Sequence, residues 1–244
     1  MKLAISGTYS SGKTLTTMAL AHLTGIPRTH AKTMREILPH AVPGKTLEEC
    51  NAAELIQLVM RRYVERAVHE SHLPGGYISD GSSLHEWTYA TVRVTVGINP
   101  NESIGLESVE KTDEIRFYEQ VVAQLGVALK QYAKETYDAF VHLPIEFPLD
   151  PNGHRPVNER FRVLSDEHLL NVLQDELKIP THIIGGTIPE RLEAITELFG
   201  FPRVMTIEEA IETAKKDYAE LDVRSESERN AAAAAVAGAA AVAA

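Results

Sequence analysis

The sequence GTYSSGKT, residues 7–14, matches the pattern G-x-x-x-x-G-K-[ST] at every defined position. A short apolar segment, residues 2–6, precedes it, and residues 15–23 follow with apolar side chains at helical spacing. A strand, a glycine-rich loop and a helix form the context in which this motif is a phosphate-binding loop (P-loop). An ordinary glycine-rich turn would explain the two glycines but not the Lys-Thr pair that ends the motif.

The loop can hold a triphosphate through its backbone and two side chains. Gly7 and Gly12 allow a tight turn and a close approach to the ligand that a Cβ would block. The loop N–H groups converge at the positive end of the following helix. Lys13 can reach the β- and γ-phosphates, and the Thr14 hydroxyl can coordinate Mg²⁺, so ATP and Mg²⁺ are the expected cofactors. The predicted nucleotide-binding residues are Gly7, Thr8, Tyr9, Ser10, Ser11, Gly12, Lys13 and Thr14.

Length and composition limit the class of protein. The chain has 244 residues, of which 44% are hydrophobic, which suits one α/β domain with extensions or at most two small domains. Its net charge of -10 argues against a general nucleic-acid binder, whose surface would be basic. A single cysteine, Cys50, excludes an internal disulfide. No apolar run approaches the roughly 20 residues of a membrane span, and the early first strand leaves no space for a signal peptide. We therefore expect a soluble cytoplasmic protein.

The order of the elements predicts an α/β fold, a P-loop NTPase three-layer sandwich with a mainly parallel five-stranded sheet and helices on both faces. We expect one kinase-like domain over residues 1–221, with a helical substrate-side insertion at 82–135 and a lid at 145–163. Residues 222–244, first charged and then Ala-rich, form a tail predicted to be frayed or disordered. The predicted strands are 2–6, 26–33, 77–80, 137–144 and 180–184.

Capping signals predict where the helices begin. Thr46 to Glu49 and Thr187 to Glu190 read as capping boxes, and Ser165 is predicted to cap the helix that runs to Leu177. In the predicted helix 112–134, Phe117 and Val127 are expected to face the core. The predicted helices are 15–23, 46–71, 82–96, 112–134, 165–177, 187–198 and 206–221.

Asp80 ends the predicted third strand. A carboxylate at this place beside a P-loop can organise the Mg²⁺ shell, or it can accept the proton of an attacking hydroxyl. The alternative is an N-cap for the helix that begins near Ser82. The requirement of the P-loop for such a partner favours the functional interpretation.

Four residues are candidates for binding the acceptor. Arg35 follows the predicted second strand, at the sheet edge where α/β proteins bind ligands, although a surface ion pair would also explain it. Trp87, Tyr89 and Arg93 lie in the insertion and could line a substrate wall. For Trp87, the only tryptophan, a core role is the competing interpretation.

Arg155 and Arg160 lie in the Pro-, Gly- and Arg-rich lid segment. Arginines on a lid can close over a triphosphate and neutralise charge in the transition state, and the lid can exclude water. The alternative is a polar loop in which the arginines have no catalytic role.

Roughly residues 1–200 resemble the AAA-type P-loop family close to the kinase domain of the bifunctional ribosylnicotinamide kinases. The likeness rests on the order and spacing of several motifs, of which only the P-loop is specific alone. These motifs are residues 7–14, the Met-Arg-Glu at 34–36, the segment 80–89 after the third strand, the Tyr-Asp strand ending in Leu-Pro at 137–144, the lid segment 150–155 and the Glu-Arg pair at 190–191.

The sequence also departs from the pattern it resembles. Gly81 replaces the family's Arg, Ser82 replaces its Gly, and its later Asp falls at His85, with Glu86 beside it. Losing that Arg would remove one phosphate or substrate contact. The resemblance therefore implies a class of reaction rather than a substrate.

Together these features predict a phosphotransferase. Lys13, Asp80, Arg155 and Arg160 would move the γ-phosphoryl group of ATP to a nucleoside, nucleotide or related metabolite. The competing hypothesis is a regulatory P-loop ATPase that acts on a protein partner. The sequence contains no Asn-Lys-x-Asp motif, which argues against a GTPase. A small-molecule phosphoryl acceptor is the expected partner, and no nucleic acid or membrane is expected. The sequence does not decide whether the chain forms a homodimer.

Overall fold

The computed structural model describes residues 1–29, 31–100, 107–149 and 158–220. Its centre is a five-stranded sheet with the order β2-β3-β1-β4-β5. Every neighbouring pair of strands is parallel, which confirms the predicted P-loop NTPase architecture. The strands are β1 (Lys2–Ser6), β2 (Arg28–Thr29), β3 (Tyr77–Asp80), β4 (Ala139–His142) and β5 (Thr181–Ile183).

Eight α-helices surround the sheet in the described part of the chain. A 3-10 turn, Leu47–Glu49, precedes the third helix, and a π-helical segment, Val172–Glu176, extends the sixth. None of the described helices has the length and apolar character needed to cross a membrane. The helices are α1 (Lys13–Thr24), α2 (Met34–Ala41), α3 (Ala52–Ser71), α4 (Ser83–Val96), α5 (Asp113–Thr136), α6 (Glu159–Asn171), α7 (Ile188–Phe199) and α8 (Ile207–Glu220).

Alternate residues of the central strand pack into two separate cores. Leu3 and Ile5 are fully buried in a cluster that α1, α7 and α8 complete. Ala4, between them, belongs to a second cluster built from α2 to α6. Side chains of a strand point to opposite faces in turn, so the sheet is covered by helices on both faces. Full burial of each large aliphatic side chain contributes about 1.5–3 kcal/mol.

The second strand is shorter than the sequence predicts. Only Arg28 and Thr29 pair with β3, whereas the prediction ran from 26 to 33. Pro27 immediately precedes the paired residues, and proline lacks the N–H that a sheet ladder needs. The chain then enters α2 behind Thr33, whose side chain accepts from the backbone N–H of Glu36.

Two predicted helix starts are wrong. Thr46 caps only the 3-10 turn, and α3 begins at Ala52 behind Asn51, whose side chain accepts from the backbone N–H of Glu54 at 3.0 Å. Ser165 lies inside α6, where its hydroxyl donates to the carbonyl of Phe161 at 2.7 Å. A Ser inside a helix can bond back in this way instead of capping.

The helical insertion forms as α4 and α5, but the inward face of α5 differs from the prediction. Phe117 and Val127 are 57% and 60% exposed, so both are wrong as core residues. The buried stripe of α5 instead contains Ile115, Tyr118, Val122, Gly126, Leu129 and Ala133.

The predicted lid is only partly described. Residues 145–149 form a loop, and 159–163 are the first residues of α6, so the last part of the predicted lid is helical. Asn158 caps that helix by accepting from the N–H of Phe161 at 2.8 Å. Residues 150–157 and the tail 222–244 lie outside the described residues.

Candidate functional site

The P-loop joins the end of β1 to the start of α1. Gly7 has φ of +133°, and a Cβ there would lie 2.6 Å from the carbonyl oxygen of Leu143 and 2.7 Å from Oγ of Ser11. Gly12, the N-cap of α1, has φ of +83°. Both conformations disfavour residues with a side chain. The motif's glycines therefore serve the tight turn that the sequence predicts.

Lys13 is the first residue of α1, and its ammonium donates to the carbonyl of Thr8 at 2.8 Å. The side chain thus folds back across the loop that it belongs to. Thr14 follows it in the first turn of α1 and is half-buried. These two residues hold the positions that a P-loop uses for triphosphate and Mg²⁺.

Arg191 fixes the loop from behind. Its guanidinium is 1% exposed, donates to the carbonyl of Ser11 at 2.7 Å and pairs with Glu146 at 2.8 Å. The Glu146 carboxylate also accepts from the backbone N–H of Gly186, and the bonds from Arg191 and Gly186 hold the pKa of Glu146 below its usual value. The start of the predicted lid is therefore tied to the P-loop through one buried arginine.

Asp80 is the last residue of β3 and pairs in register with Ile5 of β1. Its side chain is half-buried and has no hydrogen bond or ion pair among the described residues. Its backbone carbonyl accepts from Arg66 at 3.0 Å, which fixes the end of the strand. The sheet thus brings a free carboxylate to the strand that neighbours the P-loop strand.

The described residues contain no group of three or more His, Cys, Asp or Glu side chains placed to hold a metal. Mg²⁺ in phosphoryl-transfer sites is commonly held by one or two protein oxygens, with phosphates and water completing the octahedron. The hydroxyl of Thr14 and the free carboxylate of Asp80 are oxygen donors of the required kind. The residues present therefore fit Mg²⁺ brought by a nucleotide.

A buried polar cluster beneath the P-loop was missed by the sequence prediction. His142, the last residue of β4, is fully buried, and its Nδ1 lies 3.2 Å from Oγ of Ser6. Its Nε2 lies 3.3 Å from Asp166, which also accepts from the hydroxyl of Thr8 at 3.2 Å. This cluster links β1, β4 and the P-loop to α6. Ser6 and His142 are 136 residues apart, so no local pattern could reveal it.

Tyr89 contacts the P-loop, Arg93 contacts the neighbouring Phe161, and Trp87 packs against α5. The ring of Tyr89 stacks on Tyr9 of the P-loop with centroids 4.6 Å apart, and both rings approach Phe161 of α6. Arg93 lies over the ring of Phe161 and donates to the carbonyl of Ile98. The Trp87 indole instead donates to the Val122 carbonyl of α5 at 3.0 Å, which is the core role that competed with substrate binding.

The remaining predicted arginines are only partly described. Arg35 lies in the first turn of α2, and its side chain is outside the described part of the structure. Arg155 is also outside it. Arg160, near the start of α6, donates to the carbonyl of Glu107, so its described bond is directed to the loop after α4.

A second set of buried polar residues lies between α3 and α4. Glu86 is 2% exposed and forms an ion pair with Arg62, whose pKa is raised by this carboxylate against the opposing effect of burial. His85 is 3% exposed, and its Nδ1 accepts from the backbone N–H of Ser82 at 3.0 Å. Burial, followed by the charge of Lys13, lowers the pKa of His85 well below its usual value. His85 is one of the positions at which the sequence departs from the family that it resembles, and Glu86 lies beside it.

These elements define a P-loop nucleotide-binding protein. The family model described as an AAA domain matches residues 2–191, and the chain belongs to that family. No curated protein sequence matches the chain.

Solved structures share the fold at low sequence identity. A deoxyadenosine kinase from M. mycoides with bound dATP has 13% identity and a TM-score of 0.56, with 82% of this chain and 100% of that chain covered. The same kinase with bound dCTP has 16% identity and a TM-score of 0.51, over 82% and 99% of the two chains. NadR protein in complex with NR has 15% identity and a TM-score of 0.51, and it matches over 84% of this chain but only 53% of its own length.

Proposed function

We propose that this protein is a Mg²⁺-dependent kinase that transfers the γ-phosphoryl group of ATP to a small, nucleoside-like acceptor. The observation that most supports this proposal is the free carboxylate of Asp80 at the end of β3, in register with the β1 strand that leads into the P-loop. The similar solved structures include a deoxyadenosine kinase with bound nucleotides, which supports the same class of reaction. We place the reaction in the cytoplasm.

The loop residues 7–14 would cradle the triphosphate, and Lys13 would neutralise charge on its terminal phosphates. For this function Lys13 must release the Thr8 carbonyl that it now contacts. Thr14 and Asp80 would hold Mg²⁺, which when bound offsets charge that develops on the phosphoryl oxygens. Asp80 can alternatively take the proton of the attacking hydroxyl, and one carboxylate lone pair cannot serve both purposes at once.

The arginines would complete the site from the lid side. Arg155 is proposed to close over the triphosphate. Arg160 is proposed to assist, although its described bond to Glu107 must first break. Because Arg191 joins Glu146 to the carbonyl of Ser11, lid position and P-loop geometry would change together. On the acceptor side, Tyr89, Arg93 and Arg35 are the proposed contacts, and the packing of Trp87 leaves it a supporting role.

The test is ATP consumption with Mg²⁺ in the presence of nucleosides, nucleotides, sugars and amino alcohols, with mass spectrometry of the products. We expect one acceptor to stimulate ADP formation and to gain one phosphoryl group. The Lys13→Ala protein is the matched control, since it keeps the loop and loses its cation. ADP and free phosphate alone, unaffected by any acceptor, would contradict the kinase proposal and favour the regulatory ATPase.

A further inference from the structure

Three polar side-chain atoms beside the proposed site are buried without any hydrogen-bond partner in the described structure. They are Nε of Arg62, Nε2 of His85 and Oε2 of Glu86. Buried polar atoms in folded proteins almost always have partners, so each exception requires an explanation. Three exceptions in one place are the arrangement expected of a binding site for a polar ligand.

The three atoms belong to one cluster. His85 and Glu86 are consecutive residues in the first turn of α4, and Arg62 of α3 is ion-paired with Glu86. The ring centroid of His85 lies 6.5 Å from that of Tyr89, whose ring stacks on Tyr9 of the P-loop. This stacked aromatic pair therefore borders the cluster and connects it to the P-loop.

The hydrogen bonds already present fix what each unpaired atom can offer. A backbone N–H can only donate, so the bond from Ser82 to Nδ1 of His85 leaves the ring proton on Nε2. His85 is therefore a neutral donor. Arg62 offers a second donor at Nε, and Glu86, already paired through Oε1, offers an acceptor at Oε2. The cluster presents two donors and one acceptor, with no net charge.

We propose that Arg62, His85 and Glu86 bind two neighbouring hydroxyl groups of the acceptor, as carried by a ribosyl or similar sugar. One hydroxyl donates to Oε2 of Glu86 and accepts from Nε of Arg62, and the other accepts from Nε2 of His85. A phosphate at this position cannot satisfy Glu86, because a phosphate dianion has no proton to donate and repels the carboxylate. The acceptor is thus a vicinal diol that is not phosphorylated on those hydroxyls. This inference rests on the proposed function, whose acceptor it specifies.

Binding is measured by calorimetry on the full chain with a non-hydrolysable ATP analogue, so phosphoryl transfer is not required. The probes are adenosine and cytidine, their dideoxy counterparts that lack both ribosyl hydroxyls, and their 3′-monophosphates. We expect the ribonucleosides to bind at least ~30-fold more tightly than the dideoxy compounds, because hydrogen bonds to charged groups are lost. Equal affinities, tighter binding of the monophosphates, or no binding of any nucleoside would each overturn the proposal.

Two variants assign the effect to these residues. In Arg62→Met with Glu86→Leu, both charges are replaced together, which avoids leaving one buried and unpaired. We expect this protein to keep its affinity for the ATP analogue and to lose the preference for the diol. Lys111→Met with Glu119→Leu removes an exposed ion pair and is the matched control, in which the preference should persist. A diol preference retained by the first double variant would also overturn the proposal.

His85→Gln is an independent variant should the double variant fail to fold. Glutamine at this capping-box position can still accept from the N–H of Ser82, so the helix start is kept. We expect about 2–10-fold weaker binding of the ribonucleosides and unchanged binding of the dideoxy compounds, as for one lost hydrogen bond. Failure of the kinase proposal would appear separately, as the absence of any phosphorylated product in the turnover assay.

Discussion

Replacement of Gly7 by alanine tests whether the P-loop backbone depends on this glycine. The φ of +133° is unfavourable for a residue with a Cβ, at a cost of about 1–2 kcal/mol. The new Cβ would also lie 2.6 Å from the backbone oxygen of Leu143, which cannot rotate away as a side chain could. Such overpacking adds about 1–3 kcal/mol, so we expect a total loss of about 2–5 kcal/mol in the free energy of unfolding.

The matched control is Gly200→Ala. Gly200 has φ of +62° and ends α7, but its Cβ would meet no atom within 4 Å. It therefore carries the conformational cost without the clash, about 1–2 kcal/mol. Thermal and urea unfolding are followed for both variants, together with the affinity for ATP.

In a domain of this size about 2–4 °C of melting temperature corresponds to each kcal/mol. Gly7→Ala is thus expected to melt about 4–20 °C below the unmodified protein and about 2–8 °C below it for Gly200→Ala. Only the P-loop variant should also bind ATP more weakly. Melting within about 2 °C of the control, with normal ATP affinity, would refute the argument that steric contact with Leu143 fixes the loop.

Three further predictions concern single side chains. Lys13→Ala should abolish phosphoryl transfer while circular dichroism and melting stay unchanged; normal turnover would exclude the P-loop role. Asp80→Asn should reduce kcat by on the order of 10², the scale for loss of a general base, and an effect below about threefold would remove Asp80 from the mechanism. Burial holds the pKa of His85 in the folded state well below the ordinary histidine value of about 6.5, so as pH falls below that ordinary value the unfolded state binds a proton that the folded state does not. Stability is therefore lost at acid pH by up to about 1.4 kcal/mol per pH unit from this residue, and urea titrations at several pH values should show a shallower loss in His85→Gln; identical slopes would contradict the buried neutral imidazole.

The elements nearest to local sequence signals were predicted well. The sequence predicts β3 at Tyr77–Asp80, as observed, because a Pro-Gly-Gly break precedes it and a helix cap follows. The helix after it was also predicted, although its β-branched stretch from Thr91 to Val96 disfavours a helix. There, packing against α5 and α6 outweighs the weak intrinsic propensity.

Features formed by distant residues could not be predicted in the same way. Ser165 looks like a helix cap in the sequence, but the N-cap of α6 is Asn158, seven residues earlier. Only the hydrogen bond from the backbone N–H of Phe161 to the Asn158 side chain identifies the cap that forms. The pairing of Arg62 with Glu86 joins two helices, and the two residues are 24 positions apart in the sequence. Its burial depends on how α3 packs against α4, which periodicity does not specify.

The glycine at position 81 gives the departure from the family pattern a physical meaning. Gly81 has φ of +80°, and a Cβ there would lie 3.5 Å from Nη2 of Arg66. Arg66 of α3 thus lies beside the position at which the resemblance implies an arginine. Arg66 has a structural role, because its guanidinium donates to the carbonyl of Asp80 and to the hydroxyl of Ser79 and lies 3.8 Å from the Glu70 carboxylate. The guanidinium of Arg66 therefore positions the end of β3 at Asp80, and the proposed recognition of acceptor hydroxyls falls to the neighbouring Arg62, His85 and Glu86 beside the other proposed acceptor contacts.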